Sequence, residues 1–102
     1  MFLDERTVSR KTPLDGRLEI SEPAADRLAA LGDEFALVSA GRAGRGRVSR
    51  LACSCAKASG AGHVHHFLES PILMSLAAGV AVRVELDERA SEVRVELADG
   101  TR

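Results

Sequence analysis

Both cysteines and all three histidines of this 102-residue chain fall within fourteen consecutive residues, CSCAKASGAGHVHH, running from Cys53 to His66. Such a concentration restricts the local fold, because side chains two apart on a strand share a face. Cys53 and Cys55 then form one pair, and His63 and His65 another. An antiparallel hairpin through a loop at 56–62 brings the pairs together, with Cys55 facing His63, Cys53 facing His65 and Leu51 facing Phe67. Opposed Cβ atoms in such a hairpin lie about 4.5–5.5 Å apart. Four ligands can therefore reach bonds of about 2.0–2.3 Å around one tetrahedral ion. Two thiolates with two imidazoles suit Zn2+, whereas carboxylate and water sets suit magnesium or calcium. A disulfide between Cys53 and Cys55 is disfavoured, since their Cα atoms on one extended strand stand near the upper limit of disulfide reach. His66 falls on the opposite face and joins the ligands only through a bulge. Glu69, four positions beyond His65, is the other additional candidate ligand; as the residue before Ser70 it also suits the start of a helix. A sphere closed by four protein ligands leaves no position for water, so the expected role of the metal is structural.

A metal staple fits the rest of the composition. With 45% apolar residues and a formal net charge of −1 the chain is that of a folding domain, far from the charged, apolar-poor composition of disorder. Its length allows one domain. Three Phe and no Trp or Tyr leave burial to Leu, Val and Ala, which makes a thin core. No apolar run approaches the roughly 20 residues that span a bilayer, and the charged start MFLDERTVSRK lacks the apolar stretch of a signal peptide. The expectation is a soluble cytoplasmic protein.

The hydrophobic pattern predicts an α+β domain over 16–102, preceded by a polar tail or edge segment at 1–15. Residues 17–20 read as a strand. Ser21 caps a helix with Pro23 in its first turn, ending at Gly32. A strand at 35–39, a Gly/Arg turn GRAGRG at 41–46 and a strand at 48–55 follow. The order then recurs: strand 63–69, a helix capped by Ser70 with Pro71 first and Ile72, Leu73 and Leu76 inward, then strands through 80–86 and 93–97. Each half reads strand, helix, strand, turn, strand. Two such halves bury their apolar faces as a small barrel-like or two-layer antiparallel sheet of about six strands with two short helices, a pseudo-twofold repeat. This element order resembles the small pseudo-twofold barrels of the cradle-loop kind.

Two further readings concern function. From Phe35 to Leu68 there is no acidic residue, and Arg42, Arg45, Arg47, Arg50 and Lys57 make the segment basic. Arg forks suit phosphate oxygens, so these five residues are the expected contacts for nucleic acid or for an acidic protein surface. The scarcity of aromatics disfavours stacking on single strands. The spacing of His63, His65 and Glu69, H-x-H-x3-E, resembles the first motif of the cupins over seven residues, although no histidine follows Glu69 to supply a second motif. That resemblance implies a metal-dependent enzyme as the alternative to a structural zinc module that binds a partner.

Overall fold

The computed structural model describes residues 1–53 and 63–98. Among these residues seven strands form one curled sheet, a half-barrel: β1 (Phe2–Thr7), β2 (Arg17–Ile20), β3 (Phe35–Ser39), β4 (Arg42–Cys53), β5 (His63–Glu69), β6 (Ala81–Asp87) and β7 (Glu92–Leu97), in the order β1-β6-β7-β3-β4-β5-β2. Two short helices, α1 (Lys11–Asp15) and α2 (Glu22–Ala29), and a 3-10 helix (Pro71–Ser75) accompany them. The strand beyond the expected six is β1. Residues read from the sequence as a tail or edge segment pair antiparallel with β6 and continue into α1. Their polarity is that of an edge, where one flank of the strand faces away from the sheet.

Alternation along each strand separates two faces. Leu18, Ile20, Leu37, Leu68, Val82, Val84, Val93 and Val95 point to the concave side, where α2 contributes Ala24, Ala25 and Leu28. Full burial of a residue such as Leu37 stabilises by about 1.5–3 kcal/mol. Helix α2 begins as its sequence indicates: the Ser21 hydroxyl accepts from the Ala24 N–H at 3.3 Å, and a proline occupies the first turn. The two margins of the half-barrel approach each other at Asp4, whose Oδ2 accepts from the Ser21 N–H at 2.8 Å.

Three local expectations are corrected. The turn between β3 and β4 is not GRAGRG but the pair Ala40–Gly41, both at positive φ (52° and 77°), so Ser39 pairs directly with Arg42. Two left-handed residues match the twist of a two-residue hairpin, which leaves Arg42 onward free to enter the strand. Gly44 and Gly46 lie within β4 because neighbours press against it: a Cβ on Gly46 would stand 3.1 Å from the Phe35 ring and 3.2 Å from Leu37. At this point β4 passes from pairing with β3 to pairing with β5. The second expected helix, at Ser70, is a 3-10 helix of five residues instead. Finally, the repeat of element order does not extend to all strand neighbours. The hairpins β3-β4 and β6-β7 correspond and β2 pairs with β5, but β4 lies beside β5 while β7 lies parallel to β3.

Candidate metal centre and its polar sheet face

The convex face of β2, β5 and β4 carries the residues of interest in rows. Pairing sets Arg17 and Arg47 on either side of Glu69, Glu19 and Ser49 on either side of Phe67, Leu51 against His65 and Cys53 against His63. The β4-β5 register thus differs by two from the sequence expectation, which had placed Cys53 against His65 and Leu51 against Phe67. The register is set at the far end, where Val48 pairs with the buried Leu68 and Arg47 with Glu69. A slip of two preserves every residue's face, so the hydrophobic alternation that fixed the faces could not distinguish the two registers.

Cys53, His63 and His65 accordingly occupy one face of the β4-β5 ribbon. Beyond the pairing of Ile20 with His66, β2 ends and, among the described residues, the ribbon continues as two strands alone. Leu51 and Val64 there are 46% and 49% exposed. Cys55 and Lys57 lie outside the described residues, and of Cys53 and His63 only the backbone placement is described. Among the described residues no three Cys, His, Asp or Glu side chains gather closely enough to hold a metal.

His65 is held from two sides. Its Nδ1 lies 2.7 Å from Glu19 Oε2, a diagonal contact from β2, and its ring centroid lies 6.3 Å from that of Phe67. Phe67 is 1% exposed although it is on the convex face. Lys11 Nζ and the Arg17 guanidinium cover it at 5.3 and 5.9 Å from the ring centre. Each such cation contributes about 0.5–1 kcal/mol. His66 points to the other face, where its Nδ1 lies 3.2 Å from Arg50 Nη1. A guanidinium can only donate, so the ring is the acceptor in that contact.

Glu69 is committed to other partners. Its Oε2 receives the Ser49 hydroxyl at 2.7 Å and Arg17 Nε at 2.9 Å, and its Oε1 takes Arg47 through Nη2 at 3.0 Å and Nε at 3.1 Å. Partial burial pushes the carboxyl pKa up, but the hydrogen bonds from Ser49 and Arg47 and the charges of Arg47 and Arg17 outweigh it and hold the value below the ordinary one. A carboxyl depressed in the folded state adds stability that is fully present above its unfolded pKa, about 4.3, and is lost as pH falls through the folded value. Glu69→Gln is therefore expected to cost about 1.5–3 kcal/mol at pH 7, the range for hydrogen bonds to a charged group. In urea melts that difference should shrink between pH 5 and pH 3. A gap of constant size across that interval would contradict the assignment.

The basic segment is largely neutralised in three dimensions. Arg50 Nη2 reaches Asp26 at 3.0 Å, Arg45 Nε reaches Glu34 at 3.5 Å, and Arg47 is taken by Glu69. Arg42 makes no ion pair among the described residues. The absence of acids within 35–68 concealed this, because the partners come from α2, from the α2-β3 connection and from the end of β5. Sequence reasoning also missed Glu19 and the clamp on Glu69. Their only local signal is that alternation puts Arg17 and Glu19 on one face of β2; that β2 lies beside β5 is a long-range fact.

Among the described residues no helix is long and apolar enough to cross a membrane. No protein-family model matches the chain, and no curated protein is significantly similar to it.

Proposed function

We propose that this protein is a small zinc-binding module in which Cys53, Cys55, His63 and His65 hold a structural ion at the tip of the β4-β5 ribbon, and that the ribbon and its basic flank meet a partner. The observation that carries the reading is the pairing of Cys53 with His63 on the face that also bears His65. The donor set fits zinc in softness and number. The overhang supplies the need: a two-stranded ribbon beyond the sheet has little apolar burial and is marginal by itself. Protein purified without chelators should contain about one zinc per chain by elemental analysis, since the ligands define one site. Metal-free protein from such a preparation would remove the reading.

For the partner, Arg42 and Arg45 are the charges recruited at least cost. Arg45 and Glu34 are 64% and 62% exposed at their side chains, and such pairs contribute little. Arg47 and Arg50 would have to exchange Glu69 and Asp26 for phosphate. If the partner is nucleic acid, changing Arg42 and Arg45 to Gln should weaken binding to duplex DNA or RNA. It should also flatten the salt dependence by nearly two units of slope. Absence of binding by the parent at low salt would leave an acidic protein surface as the partner. The cupin-like alternative draws no support from Glu69, both of whose oxygens are already engaged.

A further inference from the structure

We propose that Glu19 is the positioning residue of the metal site, holding His65 in the tautomer that ligates through Nε2; the inference rests on the zinc reading above. A carboxylate at neutral pH offers only lone pairs. Its 2.7 Å contact with His65 Nδ1 therefore requires the proton to sit on Nδ1. In the neutral ring that a metal demands, the lone pair is then on Nε2. Phe67 stands beside the same ring at 6.3 Å and a 34° inclination, so the imidazole is oriented as well as polarised. Histidine ligands gain basicity and a fixed orientation from such an outer carboxylate.

The position of Glu19 in the fold gives the contact a second consequence. Glu19 is on β2, opposite Phe67, while His65 lies on β5 one residue past the last pairing with β2, Ile20 with His66. The carboxylate is thus a tie from the three-stranded part of the sheet to the overhanging ribbon. A metal bound to His65 is coupled through it to the body of the domain. Neither residue is deeply buried, with side chains 31% and 39% exposed for His65 and Glu19, so the tie is predicted to act on metal affinity and not on folding of the metal-free chain.

The test uses the full chain with zinc alone. Affinity is read by competition with a chromophoric chelator for the parent, Glu19→Ala, Glu19→Gln and His65→Ala. Ring nitrogen NMR shifts of His65 are read with and without zinc. The parent should show a protonated Nδ1 in both states and a metal-bound Nε2 on loading. Glu19→Ala should bind zinc about 10- to 100-fold more weakly. Glu19→Gln keeps an acceptor for Nδ1–H, so it should preserve the tautomer and lose less affinity. Melting temperatures of the metal-free Glu19 variants should match the parent's. Zinc on Nδ1, or Glu19→Ala binding as tightly as the parent, overturns the inference. If His65→Ala weakens binding and Glu19→Ala does not, only this inference falls. If the parent binds no zinc, the proposed function falls and this goes with it.

Discussion

Cys53→Ser is expected to lower zinc affinity by roughly a hundredfold while leaving the domain folded. A four-ligand structural zinc site is worth roughly 10–16 kcal/mol in apparent binding, so one ligand carries about 3 kcal/mol, or two powers of ten. His65→Ala should act comparably. His66→Ala should leave zinc binding unchanged, because its ring faces the other side of the ribbon against Arg50. The effect on stability is expected to be local, since the buried cluster built on Leu18, Leu37, Leu68, Val82 and Val93 does not reach the overhang, where Leu51 and Val64 are half exposed. Chelation should speed amide exchange in 51–53 and 63–65 and spare β3, β6 and β7. Wild-type affinity in Cys53→Ser would sink the ligand assignment. Global unfolding on chelation would show instead that the core depends on the metal.

The second large effect belongs to Gly16. It ends α1 at φ 74°, donates its N–H to the Thr12 carbonyl at 2.9 Å and accepts from the Ser70 N–H at 3.0 Å. A Cβ there would lie 2.5 Å from the Ser70 carbonyl oxygen and 3.1 Å from its carbon. Both atoms belong to backbone and cannot rotate away. Gly16→Ala thus combines a left-handed conformation costing about 1–2 kcal/mol with displacement of the junction between β5 and the 3-10 helix. The expected loss is about 3–5 kcal/mol, a large share of the roughly 5–15 kcal/mol of a typical domain. Gly79→Ala separates the two causes, since φ there is 96° but, among the described residues, no atom beyond its chain neighbours lies within 4 Å of the added carbon. It should cost only about 1–2 kcal/mol. Equal losses in urea melts would show that the Ser70 contact relaxes freely.

Legibility in the sequence divided along the range of the interactions. Ser21 and Pro23 announced α2, and the alternation of Val82, Val84 and Leu86 with Arg83 and Glu85 announced a half-buried strand, because caps and pleats act over two to four residues. The shared face of His63 and His65, and the opposite face of His66, follow from the same period. Alternation could not supply the register of β4 against β5, since slips of two residues look identical to it; Val48 against Leu68 and Arg47 against Glu69 decided that. Nor could it supply neighbours. Only the tertiary structure placed β2 beside β5, which put Glu19 on His65 and Arg17 on Glu69, and set β7 parallel to β3. The common face of Cys53, His63 and His65 was therefore readable from spacing alone, whereas the partners of His65 and Glu69 come from strands distant in the chain, whose adjacency depends on how the whole sheet closes over its core.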